Sequence, residues 1–186
     1  MSLANRLTFF RVILAPVFFA VYFLPIGSAR LTVALLWIIF IVSEITDMFD
    51  GMAARAFSQS SDFGRLFDPF ADTLMQLSCF LCFVIDGIFP AALFLVVLYR
   101  EFGILFIRNL MLQKGIAMGA RIGGKIKTVC YIAAAAAALL YVSFRRLGAA
   151  EAFQPVFAIV VLVIFGVSVF FSVLSFFDYL SVYRKA

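Results

Sequence analysis

Histidine is absent from this chain of 186 residues, and charged side chains make up only 13% of it. The absence of histidine excludes histidine general bases and histidine metal ligands. The chain has three cysteines, and Cys79, Cys82 and Cys130 all lie in apolar segments. Buried thiols in such segments are typical of packing rather than of a redox pair or a zinc site. With histidine absent, a carboxylate is the reasonable proton acceptor.

Apolar residues, by contrast, are abundant. The sequence is 66% hydrophobic with 25 phenylalanines, and its mean hydropathy is +1.14. These values exceed those of soluble domains and indicate a multi-pass membrane protein in contact with lipids. The length allows about six spans of roughly 20 residues each. We therefore predict an all-α fold of six transmembrane helices in a single domain, residues 1–186. The net charge of +5 is explained by membrane orientation, and no nucleic-acid partner is expected.

Turn residues and polar stretches divide the chain into predicted segments. A short interfacial helix, Met1–Arg11, leads into the first span. The first apolar run carries Arg11 and lacks a small-residue cleavage site, so we expect no cleavable signal peptide. The first predicted span ends at about Pro25, and the second runs from Leu31 to about Ala54, followed by a polar linker, Phe57–Phe63. The third span is Leu66–Ile85, with an exit turn at Asp86-Gly87, and the fourth runs from Pro90 to Gln113. A basic loop over 113–127 leads to a fifth span, which contains Ala133–Ala138, and a sixth span runs from Phe153 to Tyr179.

The distribution of basic residues predicts the orientation in the membrane. Six spans place both termini, the linker and the basic loop on one side. Of the 15 Lys and Arg residues, all but Arg30, Arg145 and Arg146 fall on that side or its adjoining helix ends. The positive-inside rule assigns the basic side to the cytoplasm. We therefore expect the side that carries the termini, the linker and the basic loop to face the cytoplasm.

Four aspartates stand within one stretch of otherwise apolar sequence. Asp47 and Asp50 fall on one helical face, and Asp68 and Asp72, four residues apart, share a face of the next segment. Four neighbouring carboxylates repel one another, and each is costly at membrane depth without a partner. Divalent cations resolve that conflict, and hard oxygen ligands suit Mg²⁺ or Mn²⁺. These aspartates are therefore the candidate metal ligands.

Two residues beside the aspartates suit a phosphate ligand. Gly51 has no side chain, so a ligand can approach the backbone closely. Arg55 lies one helical turn further on, where a guanidinium can bind a phosphate oxygen. Metal ligands, glycine and arginine together predict a pyrophosphate site. The alternative interpretation, in which these aspartates are helix caps or boundary charges, does not require four acids in this register.

The pattern D-x2-D-G-x2-A-R-x8-G-x3-D-x3-D runs from Asp47 through Gly64 to Asp72. It resembles the signature of the CDP-alcohol phosphotransferases (CDP-alcohol phosphatidyltransferases), integral membrane enzymes of phospholipid synthesis. The resemblance implies that the four aspartates bind two metal ions on the pyrophosphate of CDP-diacylglycerol. It also implies that Gly51, Arg55 and Gly64 contact the nucleotide and that Asp72 is the general base.

Further blocks resemble the bacterial phosphatidylglycerophosphate synthases of that family. These are REFGILFIRNL, GKIKT, the tail around Phe177-Asp178-Tyr179, and the N-terminal stripe Asn5, Thr8 and Arg11. The stripe either anchors the chain at the interface or, through Thr8, lines the nucleotide end of the site. The chain has Thr73 where the synthases commonly have lysine after the last motif aspartate. The resemblance also suggests a homodimer in the bacterial cytoplasmic (inner) membrane, with the aspartate motif facing the cytoplasm.

The acceptor implied by this resemblance is sn-glycerol 3-phosphate, whose attack would give phosphatidylglycerophosphate and CMP. A dianionic phosphate requires basic partners, and the candidates are Arg100, Arg108, Arg121, Lys125 and Lys127. Inositol phosphate, serine or another alcohol is the alternative acceptor within the family, and a cation transporter is the alternative from another class. Glu44 and Asp178 are polar residues whose roles the sequence leaves open.

Overall fold

The computed structural model describes residues 3–24, 26–57, 62–116 and 122–184, with side chains for 8–24, 26–47, 67–116 and 122–184. The described chain is helical and contains no strand. Its elements in order are α1 (Leu3–Phe23), α2 (Ala29–Phe57), α3 (Asp62–Ile85), α4 (Ala91–Gln113), α5 (Ile122–Leu147), a 3₁₀ turn (Glu151–Phe153) and α6 (Gln154–Tyr183). The all-α prediction is confirmed.

Four of these helices have the length and apolar composition needed to cross a membrane. The apolar stretches are Ala29–Asp47, Phe67–Ile85, Ile122–Leu147 and Glu151–Tyr183. The apolar part of α1, Thr8–Phe23, is shorter, and α4 carries Arg100, Glu101 and Arg108 within its 23 residues. Four candidate spans among the described residues indicate a membrane protein, and six spans stay a prediction.

The helix ends follow local sequence chemistry. At the end of α3, Gly87 has φ +75°, its N–H donates to the carbonyl of Val84, and the next N–H, of Ile88, donates to that of Phe83. This is the glycine-dependent termination that satisfies the last carbonyls of a helix. Gly115 ends α4 in the same way. The predicted exit turn at Asp86-Gly87 is confirmed.

Two predicted boundaries differ from the structure. The N-terminal helix and first span are one continuous helix, α1, which shows no break at Arg11. The predicted basic loop over 113–127 is wrong from Ile122 onward, because Lys125 and Lys127 lie on α5. Gly123 and Gly124 also lie on α5, and Gly124 serves close packing rather than a turn: a Cβ there would lie 3.2 Å from the Tyr179 hydroxyl of α6.

The chain divides into two compact units, Met1–Cys82 and Phe83–Ala186. In the first unit, the buried core includes Phe18 of α1, Leu36 of α2 and Phe80 of α3, each of them fully inaccessible. The polar residues of α1 that face inward, Thr8 and Arg11, are also buried. This unit therefore has an apolar core with a polar end where α1 meets the aspartate-bearing helices.

The second unit is built from α4, α5 and α6, with α6 packed against both of the others. Within the alanine run of α5, Ala134, Ala135 and Ala138 are fully buried, as expected for small residues at a close helix contact. On α6 the buried positions include a stripe of hydroxyl side chains, Ser168, Ser172, Ser175 and Tyr179. Near the turn after α3, the Phe89 and Phe165 rings stack with centroids 3.8 Å apart. The hydroxyl stripe gives this apolar unit a polar interior.

Candidate active site in the first unit

Arg11 connects three helices at the polar end of the first unit. Its guanidinium belongs to α1 and is 1% exposed. Nη1 donates to Oδ1 of Asp47 on α2 and, at 2.8 Å, to Oδ1 of Asp72 on α3. Because one nitrogen contacts both carboxylates, the two aspartates from different helices must lie within a few ångströms of each other.

Thr8 makes a third connection, one turn before Arg11 on the same face of α1. Its hydroxyl donates to Oδ1 of Asp68 at 2.6 Å. Asp68 and Asp72 therefore face α1 together, which confirms that these two aspartates share a helix face. The structure thus brings three of the four predicted metal ligands onto one polar stripe of α1.

The described side chains of this cluster carry more negative than positive charge. Asp47, Asp68 and Asp72 lie near one described guanidinium, that of Arg11, and the half-buried Glu44 lies one turn before Asp47 on α2. Asp47 and Asp72 are 41% and 50% exposed, so the protein does not enclose either carboxylate. Neighbouring carboxylates that keep exposed oxygens can bind cations.

Several predicted site residues fall where side chains are not described. Asp50, Gly51 and Arg55 continue α2 beyond Asp47, and Gly64 lies in the first turn of α3. Arg121 lies outside the described residues. Among the described side chains, no three acidic or cysteine residues are close enough to hold a metal ion. The described part of the site is therefore the set Thr8, Arg11, Asp47, Asp68 and Asp72.

The second unit contains a separate buried charge cluster. Arg100 donates to Oε1 of Glu101 at 2.8 Å, and Nζ of Lys127 on α5 donates to the same oxygen at 3.1 Å. Arg100 also donates to the Ser172 carbonyl at 3.2 Å and to the Ser175 hydroxyl at 3.0 Å. Two predicted acceptor-binding bases therefore share one carboxylate, and this cluster joins α4, α5 and α6.

Tyr131 supports the same cluster from α5. The Lys127 ammonium lies 4.4 Å from the centroid of its ring, a favourable cation–π arrangement. The hydroxyl oxygens of Tyr131 and Ser172 are 2.5 Å apart. Lys127 is therefore held by both a carboxylate and an aromatic ring.

Arg108 and Lys125 do not take part in the ion pairs with Glu101. Nη2 of Arg108 donates to the Tyr179 hydroxyl at 3.0 Å, which confirms that Arg100 and Arg108 share the face of α4 that packs on α6. Nε of Arg108 is buried and, within the described part of the chain, meets no hydrogen-bond acceptor. Lys125 is exposed near the beginning of α5. Lys125 therefore has an ammonium that an anion can reach, and Arg108 has a buried donor without a partner among the described residues.

Glu101→Gln should destabilise the second unit strongly. Removing the carboxylate leaves Arg100 and Lys127 buried without their common counter-ion, which costs about 3–5 kcal/mol. At about 2–4 °C per kcal/mol for a chain of this size, we expect the Tm of the detergent-solubilised protein to fall by about 10 °C.

Glu151→Gln, at an exposed position, is the matched control and should leave Tm nearly unchanged. Combining Glu101→Gln with Lys127→Gln removes one uncompensated charge and should recover part of the loss. An unaltered Tm in Glu101→Gln would show that the cluster is not an energetic link among the three helices.

Sequence reasoning did not identify two of these features. The stripe containing Arg11 was visible, but its ion pairs depend on how α1 packs. Glu101 stood next to Arg100 in an apolar helix, and its bond to Lys127 links residues 26 positions apart. The hydroxyl stripe of α6 did carry a signal, because Ser168, Ser172 and Ser175 recur at helical spacing.

Comparison with known proteins identifies the class of protein. The sequence profile of the CDP-alcohol phosphatidyltransferases matches residues 1–174. The chain belongs to the CDP-alcohol phosphatidyltransferase family.

Individual relatives refine this assignment. A CDP-diacylglycerol--glycerol-3-phosphate 3-phosphatidyltransferase of Treponema pallidum is 34% identical over 194 residues, covering 98% of this chain and 89% of the relative. The Bacillus subtilis enzyme of the same name is 32% identical over 149 residues, 75% of this chain and 77% of the relative. A probable phosphatidylglycerophosphate synthase of Mycobacterium tuberculosis is 34% identical over 127 residues, 68% and 60% of the two chains. The resemblance predicted from the aspartate signature is confirmed.

Proposed function

We propose that this phosphatidyltransferase moves the phosphatidyl group of CDP-diacylglycerol to sn-glycerol 3-phosphate, giving phosphatidylglycerophosphate and CMP. The observation that carries the proposal is the convergence of Asp47, Asp68 and Asp72, from two helices, on the polar face of α1. The names of the Treponema and Bacillus relatives support this donor and acceptor.

Asp47, Asp50, Asp68 and Asp72 are the proposed ligands of two divalent cations, Mg²⁺ or Mn²⁺. Two observations on the described residues support this proposal: Asp47 and Asp72 lie close enough to share one nitrogen of Arg11, and the donors are hard carboxylate oxygens. Asp50, whose side chain is outside the described part, would complete the set. When bound, two divalent cations offset charge on the attacking and leaving oxygens of a phosphoryl transfer.

The nucleotide half of the donor is assigned to residues next to these aspartates. Gly51 permits close approach of the pyrophosphate to the backbone of α2, and Arg55, one turn on, can donate to a phosphate oxygen. Gly64, near the beginning of α3, likewise permits close approach of the nucleotide to the backbone of that helix. Thr8 positions Asp68 by its hydrogen bond and so supports this end of the site.

The reaction forms one bond and breaks one bond at phosphorus. The primary hydroxyl oxygen of the acceptor attacks the phosphorus that carries diacylglycerol, and the bond from that phosphorus to the bridging oxygen of CMP breaks. Asp72 accepts the hydroxyl proton. Because the chain has no histidine, a carboxylate is the available proton acceptor near neutral pH.

Arg108 and Lys125 are the proposed main ligands of the acceptor phosphate. Arg108 has a buried Nε with no acceptor among the described residues, and Lys125 is exposed. Arg100 and Lys127 are held by Glu101, so we assign them a supporting part in acceptor binding. Arg121 completes the proposed set.

Arg108→Ala and Lys125→Ala should each raise the KM for glycerol 3-phosphate. A charge-assisted hydrogen bond contributes about 1.5–3 kcal/mol, or about ten- to a hundred-fold in affinity. The KM for CDP-diacylglycerol should change much less, and Arg55→Ala should show the reverse pattern. Both substrates are titrated against each purified variant, with Arg146→Ala, on the last turn of α5, as a matched control. Equal effects on both substrates would reassign these bases to fold support.

We also propose that the protein acts in the bacterial cytoplasmic membrane as a homodimer, with the aspartate site open to the cytoplasm. The support for orientation is the density of Lys and Arg near the ends of α2 and α4 and the beginning of α5. Soluble glycerol 3-phosphate and divalent cations would then reach Asp47 and Asp72 from the cytoplasmic side.

The proposed function is tested by giving the purified protein CDP-diacylglycerol and one acceptor at a time. Glycerol 3-phosphate, inositol phosphate, inositol, serine and glycerol are compared for CMP release, and each lipid product is identified by its mass. We expect rapid CMP release and a lipid product with glycerol 3-phosphate alone. Faster CMP release with another alcohol would leave the family assignment intact and replace glycerol 3-phosphate as the acceptor. That alternative is open because Thr73 departs from the synthase pattern.

A further inference from the structure

Arg11 lies among the described acidic side chains of the site. It is 1% exposed, and its Nη1 contacts carboxylate oxygens from both α2 and α3. The only other side chain of α1 described in this cluster, Thr8, is neutral and donates to Asp68. Within the described site, Arg11 is therefore the cation that stands among three carboxylates.

We propose that Arg11 is the internal counter-cation of the aspartate site and keeps α2 and α3 together in the metal-free protein. The inference rests on the metal site in the proposed function and adds a role for a residue of α1. Arg11 and divalent cations then serve the same carboxylates, so each partly substitutes for the other. Arg11 is a positioning residue for Asp47 and Asp72, and it takes no part in bond making.

The physical argument has two parts. First, a buried guanidinium is costly unless it is paired, so the position of Arg11 is set by Asp47 and Asp72 and is stable only with both helices in place. Second, carboxylates this close repel one another without a cation between them. Binding of a metal to the same oxygens is therefore coupled to Arg11 with negative cooperativity, a coupling that is commonly five- to 150-fold.

Thermal unfolding with and without metal tests this inference, using Arg11→Gln and the matched Arg30→Gln, at an exposed position near the beginning of α2. In EDTA we expect Arg11→Gln to lower Tm by about 5–10 °C. Saturating Mn²⁺ should raise its Tm more than it raises that of the unmodified protein. Electron paramagnetic resonance of free Mn²⁺ should show about tenfold tighter binding to Arg11→Gln. Arg30→Gln should match the unmodified protein throughout.

Two variants cover the case in which Arg11→Gln does not fold. Arg11→Lys keeps the charge and should lose less stability in EDTA, with a gain from Mn²⁺ close to that of the unmodified protein. In an Asp47→Asn background, where one carboxylate is already neutral, Arg11→Lys should have a smaller effect than in the unmodified protein.

The outcomes separate this inference from the proposed metal site. If Mn²⁺ stabilises neither the unmodified protein nor any Arg11 variant, the metal site itself is wrong. If Mn²⁺ stabilises the unmodified protein and Arg11→Gln equally, or binds Arg11→Gln more weakly, the metal site stands and the counter-cation role is overturned. If Arg11→Lys folds but loses as much stability as Arg11→Gln, the counter-cation role is likewise overturned, because retaining the positive charge would not have preserved stability.

Discussion

Asp72→Asn should reduce turnover by about a thousand-fold or more while the protein stays inserted and folded. The substitution preserves shape but removes a metal-binding charge and the proposed proton acceptor, and loss of a general base alone costs about 10²–10⁴-fold. The fold should survive because Arg11 keeps Asp47 as an ion-pair partner, and because removing one of several crowded carboxylates relieves repulsion in the metal-free site. CMP release and Tm are measured on the same purified sample.

Asp62→Asn is the matched control for this experiment. Asp62 is the first residue of α3, ten positions before Asp72, and it stands outside the aspartate signature. We expect this variant to retain substantial activity. An inactive Asp62→Asn together with an active Asp72→Asn would show that the roles within this segment have been assigned to the wrong carboxylates.

Chelation should have an effect of similar size. In excess EDTA, Arg11 would be the one counter-cation of Asp47, Asp68 and Asp72 among the described side chains. The pyrophosphate of the donor, itself an anion, would then be repelled by these carboxylates. Turnover should therefore fall to background. Added Mg²⁺ or Mn²⁺ in excess over the chelator should restore it, whereas Na⁺ at the same ionic strength should not.

Ca²⁺ provides a stricter control than Na⁺, because it binds oxygen ligands but with longer bonds and a less demanding geometry. We expect Ca²⁺ to support activity poorly. Undiminished activity in excess EDTA, with metal removal verified by elemental analysis, would exclude the two-metal mechanism.

Much of the site could be predicted because its chemistry is local in the sequence. Asp68 and Asp72 are four residues apart, so any helix places them on one face, as the structure shows. The signature that spans Asp47 to Asp72 identified the family before any geometry was known. Likewise, the glycine at position 87 predicted the end of α3, since positive φ values favour glycine.

What could not be predicted depends on contacts between distant segments. Arg11 and Asp72 are 61 residues apart, and only the packing of α1 decides which acids the guanidinium meets. The same holds for Lys127 and Glu101. The error at the beginning of α5 has a different cause: Gly123 and Gly124 resemble turn residues, but both lie on α5, and the missing side chain of Gly124 allows close packing against Tyr179 of α6.

The central claim is direct transfer of the phosphatidyl group to the hydroxyl of glycerol 3-phosphate at the aspartate site. It is tested most directly with glycerol 3-phosphate carrying ¹⁸O in its primary hydroxyl, incubated with the purified protein, CDP-diacylglycerol and Mg²⁺. Mass spectrometry then locates the label in the products. The proposed chemistry predicts one ¹⁸O atom in each phosphatidylglycerophosphate, at the new phosphodiester, and none in the CMP released in equal amount. Label in CMP, or CMP released with phosphatidic acid as the lipid product, would contradict it.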